Sequence, residues 1–208
     1  MGGFFNIDGA FHRYASLVTD IVIISVLWIM FSWPIITMGA ATTAAYYVCT
    51  KKASGREGYL LAGFFKSFKE NFLKATAATL LLLLVGGILV LNMSLLDDEI
   101  IFANIILVVQ YFLLVQLVFV GMYVFPLIAR FEMKLGQVFR AGFLLANRHL
   151  LLALGKLAMV FALIFASIYF PLLIIFAGGI YIYISSFIFV RVFRKHYPQF
   201  DPIIEPEE

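Results

Sequence analysis

Two ionisable side chains lie inside long apolar stretches, where a charge could do chemistry. Asp20 lies about one turn inside the first stretch, and Lys156 lies about two turns inside the fourth. Ionisable residues at membrane depth are costly and often mark ion paths or proton relays. Both residues are also close enough to the end of a stretch to reach a hydrated mouth. They are therefore either gating or coupling charges of a small transporter, or charges that reach water at the membrane boundary.

Other reactive side chains are sparse. The histidines are scattered near the ends of the apolar stretches, which argues against a metal site built from them. Asp97, Asp98 and Glu99 could bind a cation through oxygen ligands, but three consecutive acids on a short loop are more often a solvated turn. The sequence contains no zinc-hydrolase, phosphate-loop or serine-hydrolase signature. We therefore expect a protein that is not an enzyme and holds no cofactor or metal.

The composition is that of a polytopic membrane protein. Of the 208 residues, 63% are hydrophobic and 13% are charged, and the mean hydropathy is +1.02. A helix crosses the hydrocarbon core with about 20 apolar residues, and lipid leaves the backbone no alternative hydrogen-bond partners. We predict one all-α domain, a bundle of five transmembrane helices with two interfacial helical segments. The five helices are expected at residues 17–36, 75–96, 105–128, 150–176 and 180–193.

The distribution of lysine and arginine predicts a topology. Nearly all of them fall in residues 37–74, in residues 129–149 or after residue 190, whereas residues 97–104 have none. Cytoplasmic loops retain Lys and Arg, so the pattern places the N-terminus outside and the C-terminus in the cytoplasm of a bacterial cell. The net charge of +3 then reflects topology and not a nucleic-acid partner. The single Cys49 is expected on the cytoplasmic side as a free thiol.

Small residues follow the first predicted span. Pro34 prevents simple continuation of that helix, and Gly39, Ala40 and Ala44 follow at close spacing. Small residues at such spacing let another helix approach closely. The pattern predicts a short helix over residues 40–48, either interfacial or partly re-entrant. It serves either for packing inside the bundle or as a surface for a partner or ligand.

A phenylalanine stripe precedes the second span. Its members recur on one face of a helix, while lysines lie off that face, as in a helix lying in the cytoplasmic interface. The stripe contacts either lipid and the chain itself, or a partner protein. It consists of Phe64, Phe65, Phe68 and Phe72.

The same order of elements, a span with a proline near its end, an amphipathic segment, an asparagine and a further span, recurs later in the chain. Pro126 near the end of the third span echoes Pro34, an amphipathic cytoplasmic segment around Phe139 follows, and Asn147 precedes the fourth span as Asn71 precedes the second. We interpret this as a weak parallel repeat, in which spans one and two correspond to spans three and four. The two asparagines are interpreted as satisfying backbone groups where the spans begin.

Three motifs occur in order along the chain: Pro34-x-x-Thr37-x-Gly39-Ala40, Phe64-Phe65-x-x-Phe68-x-x-Asn71-Phe72 and Phe125-Pro126-Leu127. Their order resembles the YesL-like family of bacterial integral membrane proteins, over residues 4 to 196. The resemblance implies an accessory to carbohydrate uptake, found with sugar ABC importers and two-component sensors. It implies no catalytic residue.

Two classes of function follow. The first, which we favour, is a non-catalytic accessory protein in the lipid bilayer that contacts sugar ABC importer permeases or a sensor histidine kinase. The chain lacks the Glu-Ala-Ala coupling signature of importer permeases, so it is not expected to be the permease itself. The alternative is a small transporter or channel that acts as a homo-oligomer, with Asp20 and Lys156 as its charges. Gln110 and Gln116 point about 120° apart on a helix and so do not line a continuous pore.

Overall fold

A computed structural model describes residues 10–55, 59–96 and 102–196. The acidic cluster at residues 97–99 and the N-terminal residues 1–9 lie outside the described residues, and so does the side chain of His12. All regular secondary structure in the described part is helical, which confirms the predicted all-α class.

Seven α-helices and one short 3-10 turn make up this part of the chain. Five of the helices are long and apolar enough to cross a membrane, namely α1, α3, α4, α6 and α7, as in a multi-pass membrane protein. The helices are α1 (Ala10–Ser32), α2 (Met38–Ala53), α3 (Leu60–Leu95), α4 (Ala103–Arg130), α5 (Leu135–Arg148), α6 (Leu150–Tyr169) and α7 (Leu173–His196), and the turn is Ile35–Thr37.

The last two long helices meet earlier than predicted. The fourth span was expected to continue to residue 176 and the fifth to begin at 180, but α6 ends at Tyr169 and α7 begins at Leu173. Pro171 causes the break, because it has no backbone N–H and disfavours a helical conformation of the residue before it. Phe170 has φ −125° and ψ 82°, and its carbonyl accepts a hydrogen bond of 2.9 Å from the Leu173 N–H.

The two prolines that the repeat equates behave differently. Pro34 has an extended backbone, with φ −75° and ψ 120°, and follows the end of α1. The Thr37 hydroxyl lies 2.7 Å from the Phe31 carbonyl oxygen and so stabilises this turn. Pro126 instead lies within α4, which continues to Arg130. Of these two prolines, therefore, only Pro34 follows the end of its helix.

Helix α2 returns along α1 and does not lie at the edge of the bundle. The Trp28 Nε1–H donates a 3.0 Å hydrogen bond to Thr42 Oγ1, and Asp20 forms an ion pair with Lys52. Later residues of α2 thus meet earlier residues of α1, so the two helices are antiparallel. Ten of the sixteen residues of α2 are buried. The small residues Gly39, Ala40 and Ala44 lie inside the chain's own core and leave no surface there for a second protein.

Helices α3 and α7 flank α2. Helix α3 runs antiparallel to α2, with Gly39 beside Thr79 and Gly63 beside Val48. Helix α7 runs in the same direction as α2: the N-terminal part of each lines one cavity, and further along Tyr46 Oη bonds Ser185 Oγ at 3.1 Å. It follows that α1 and α3 run in one direction and α7 in the other.

The start of α1 and the end of α7 therefore lie at the same end of the bundle. The end of α4 lies there too, since Arg130 Nη2 donates a 3.2 Å hydrogen bond to Ser54 Oγ just after α2. We call this end, with Lys51 and Lys52, the basic end. The expected topology placed the two termini on opposite sides. The difference arises because α2 adds a returning helix whose Gly, Ala and Thr residues are too weakly apolar to be recognised as a span.

Candidate functional site

A cleft opens at the basic end between α1, the end of α2 and the start of α3. Its volume is about 980 Å³. Asp20 lines it together with Lys51, Lys52 and Lys66, and Tyr47 adds an aromatic wall. We call this space the basic cleft. With three lysines and one carboxylate among its described lining residues, it favours acidic groups.

Asp20 does not act alone in this cleft. Its carboxylate is paired with Lys52, whose side chain is 38% exposed, while that of Asp20 is 17% exposed. Both residues of the pair line the basic cleft, together with Lys51 and Lys66. The predicted topology separates the start of the first span from residues 37–74, but α2 returns along α1 and brings Asp20 into contact with Lys52.

The phenylalanine stripe packs mostly on the chain itself. The Phe31 ring lies 5.8 Å, 5.4 Å and 5.1 Å from the rings of Phe64, Phe65 and Phe68, and Phe72 in turn contacts Phe68 at 5.5 Å. Phe64 is fully buried, whereas Phe68 and Phe72 are half-buried. Three of these four contacts are edge-to-face, and such contacts stabilise packing, so most of the stripe joins α1 to α3.

One side of the start of α3 remains uncovered. Tyr59 is 90% exposed, Leu61 51% and Phe65 39%. We call these three residues the α3 entry surface. They lie beside the basic cleft, because Tyr59 and the neighbouring Leu60 and Lys66 line it. An exposed apolar surface beside cations is a candidate contact for a partner or for lipid.

Helix α5 is the second amphipathic segment that the sequence predicted. Its inner face, with Val138 and Leu145, is buried, and its outer face exposes Phe143 (50%) and Leu144 (58%). The Lys134 N–H donates to Gln137 Oε1 at 3.0 Å and caps the start of the helix.

Asn147 and Asn71 have a common structural role. Asn147 Nδ2 donates to the Phe143 carbonyl at 2.8 Å, and Asn71 Nδ2 donates to the Ser67 carbonyl at 3.2 Å. Each thus adds a bond to a carbonyl one turn earlier in its own helix. These contacts are local to α3 and α5 and do not form a site.

Lys156 lies deep between α6 and α4. The residue is 1% exposed, its Nζ lies 4.1 Å from the centre of the Tyr123 ring, and the described residues offer Nζ no hydrogen-bond acceptor. The expected route to the membrane boundary is not taken, because the side chain is enclosed by the bundle. Nζ thus lies over the face of the Tyr123 ring, in the geometry of a cation–π contact.

A second cavity, of about 390 Å³, is lined on α6 by Val160, Leu163 and Ile164, and Lys156 is not among its lining residues. We call it the α4–α6 cavity, because α4 and α6 form its two walls while α1, α2 and α7 close it behind. Its lining is mainly apolar, with the polar groups of Thr42, Tyr46 and Tyr181 among it. The sequence could not identify this site, because its residues come from five helices and share no spacing along the chain.

Among the described residues, no group of three His, Cys, Asp or Glu side chains is placed to hold a metal ion.

Comparisons with known proteins give two matches. The profile of a family described as "Protein of unknown function, DUF624" matches residues 21–93, from α1 to near the end of α3. This segment contains two of the three motifs that carry the resemblance, those at Pro34 and at Phe64. The chain is also 26% identical over 172 residues to "Uncharacterized protein YteU" of Bacillus subtilis (strain 168), which covers 78% of this chain and 75% of that protein. No solved structure is significantly similar.

Proposed function

We propose that the protein is a non-catalytic accessory protein of a bacterial cell membrane. In this proposal its basic end binds a permease of a carbohydrate ABC importer or the sensor histidine kinase that controls one. The motif order at Pro34, Phe64 and Pro126 supports the carbohydrate assignment through its resemblance to the YesL-like family. The surface at the basic end supports a binding role.

The α3 entry surface is the observation that carries this proposal. Tyr59, Leu61 and Phe65 expose apolar area directly beside the cations of the basic cleft. Burying apolar surface contributes about 25 cal/mol per Å², so a partner that covers these side chains gains affinity. Charge complementarity then adds specificity and rate, and a partner surface with apolar groups rimmed by Asp or Glu fits best.

The same proposal assigns an orientation. Lys and Arg in the segments around Lys51, Arg130 and Arg191 favour a cytoplasmic basic end. The C-terminal end of α7 is then cytoplasmic, as the charge pattern suggests. The start of α1 lies on that side as well, because α1 and α7 run in opposite directions. The α3 entry surface would thus face cytoplasmic or cytoplasm-proximal parts of the partner.

A transporter or channel has weaker support. Asp20 lines the basic cleft and is already paired with Lys52, whereas Lys156 is buried against Tyr123 and lines neither the basic cleft nor the α4–α6 cavity. Coupling charges of one transport path should line that path together. Their separation favours binding over conduction.

Co-purification from the native membrane tests the proposal. Tagged protein extracted in a mild detergent should retain an importer permease or a histidine kinase in near-stoichiometric amount. We expect Leu61→Glu to lower that recovery by about fivefold, which corresponds to about 1 kcal/mol of binding free energy. Phe143→Glu on α5 is the matched control, since Phe143 is 50% exposed and Leu61 51%. Recovery of the protein alone, or equal recovery with both variants, would contradict the proposal.

A further inference from the structure

We propose that the basic cleft binds a phosphate group, held between Lys51 of α2 and Lys66 of α3. The phosphate belongs either to the headgroup of an anionic membrane lipid or to a small soluble ester, and binding measurements separate these two sources. The inference goes beyond the accessory role and does not depend on which protein partner is bound.

The first argument is the charge of the cleft. Three lysines and one carboxylate are among its described lining residues, so their formal charges sum to +2. Lys52 is engaged with Asp20. Lys66 has a weak contact with Glu70, since the two groups are 4.0 Å apart and both side chains are more than half exposed. A cleft with a net positive charge concentrates anions, and Lys51 and Lys66 are the cations best placed to bind one.

The second argument is the placement of these two lysines on different walls. A Cβ at Gly63 would lie 3.9 Å from Tyr47 Cε1, so α2 and α3 touch at this level. Lys51 follows Tyr47 by four residues, and each lies in the cleft lining. Lys66 follows Gly63 by three, again within the lining. Each lysine is thus about one turn from the contact, on the same face of its helix. Because the two helices are antiparallel, an anion beside the contact is reached by one lysine from each end.

The third argument concerns the shape of the anion. Ser16, Tyr47 and Tyr59 add hydroxyl groups to the lining, so donors come from α1, α2 and the start of α3. A phosphate spreads its acceptor oxygens in three dimensions, whereas the two oxygens of a carboxylate lie in one plane. Donors that surround a ligand from three helices therefore suit a phosphate better. The volume of about 980 Å³ is that of a large small-molecule site, since such sites span roughly 300–1,000 Å³.

The fourth argument is the position of the cleft at the end of the bundle. Two of its three walls, α1 and α3, are helices long and apolar enough to cross a membrane. Basic pockets between transmembrane helices bind anionic lipid headgroups. Tyr59 on the rim is 90% exposed, and tyrosine is enriched at the boundary between membrane and water. At this boundary a lipid headgroup enters from the side and a soluble ester enters from water.

Native mass spectrometry of the purified full-length protein tests the proposal without a protein partner. In one arm, phosphatidylglycerol and the net-neutral phosphatidylcholine, with identical acyl chains, are titrated in an uncharged detergent. In the other arm, glycerol 3-phosphate is compared with glycerol. We expect the anionic probe to bind about tenfold tighter than its neutral counterpart, or about 1.4 kcal/mol. A preference in the first arm alone identifies a lipid headgroup, and a preference in the second identifies a soluble ester.

Lysine variants test the two residues that hold the phosphate. Lys51→Met and Lys66→Met should each weaken binding of the anionic probe about fivefold, or about 1 kcal/mol. Lys69→Met is the matched control, because it removes the same charge from an exposed position of α3 that does not line the cleft. Its affinity should equal that of the wild-type protein.

Asp20→Asn tests the cleft with an effect of opposite sign. It removes the carboxylate from the lining and should tighten binding of the anionic probe about threefold, although it removes the ion pair with Lys52. A purely structural role of these residues would not produce tighter binding. The proposal is overturned if neither arm shows a preference for the anionic probe, if the Lys51 and Lys66 variants bind it as tightly as Lys69→Met, or if Asp20→Asn binds it no more tightly than the wild-type protein.

Discussion

Asp20 of α1 and Lys52 of α2 form an ion pair, although a proline-containing turn separates their helices in the chain. The contact fixes α2 as the returning arm of a hairpin with α1. It also pairs the carboxylate that the alternative reading of the sequence, a small transporter, makes a transport charge. The position of the start of α1 and the composition of the basic cleft both follow from this pair.

The first prediction concerns the strength of this pair. Asp20→Asn and Lys52→Met should each lower stability, and a double-mutant cycle should give a coupling of about 0.5–1 kcal/mol, since the pair is only partly shielded from water. Thermal unfolding in detergent measures it. The Lys66–Glu70 pair, at 4.0 Å and with side chains 66% and 57% exposed, is the control and should give a smaller coupling. Strictly additive effects of Asp20→Asn and Lys52→Met would show that the pair does not join the helices.

The second prediction concerns the close approach of α2 to α3 and α4. A Cβ at position 39 would lie 2.8 Å from the Ala75 carbonyl oxygen and 2.8 Å from Phe125 Cε1, and it would also meet Thr79. We therefore expect Gly39→Ala to destabilise the protein by about 1–3 kcal/mol through overpacking. Gly87 has open space around it, so Gly87→Ala should be neutral or slightly stabilising. Similar thermal midpoints for the two variants would contradict this packing.

The third prediction concerns Cys49. The thiol is buried inside α2, with the residue 1% exposed, and buried structural cysteines are inert towards thiol reagents. A maleimide should label Cys49 slowly in the folded protein and rapidly after denaturation in dodecyl sulfate. Ser94→Cys, at an exposed position on α3, provides the accessible control. Labelling of Cys49 at the rate of the control would show that α2 is not enclosed.

The long helices could be predicted from the sequence because each depends on a local property. Apolar length and the positions of lysine and arginine suffice to identify helices such as α3 and α4. The spacing of the phenylalanine stripe likewise predicted that its members share one face of a helix. The spacing does not say whether the stripe contacts lipid, a partner or the chain itself. That depends on where the fold places Phe31, which lies in another helix.

The interior could not be predicted in the same way. Helix α2 is buried because its residues are small, and small residues give little hydropathy signal although they permit close packing. The direction of α2, and with it the Asp20–Lys52 contact, depends on which helices surround it. By its position along the helix, Lys156 could be either a transport charge or a side chain that reaches water, but in the structure it is buried against Tyr123. The surroundings of a buried side chain depend on tertiary packing, and the spacing of residues within one helix does not predict that packing.

The central claim is that the α3 entry surface contacts a protein partner at the basic end. Photo-crosslinking in native membranes tests it most directly, with a photoreactive amino acid in place of Leu61 and, as control, of Leu91, which is 59% exposed on the apolar half of α3. We expect position 61 to crosslink to an importer permease or a histidine kinase, identified by mass spectrometry, and position 91 to crosslink to neither. Crosslinks from position 61 to lipid alone, or the same proteins captured from both positions, would contradict the account.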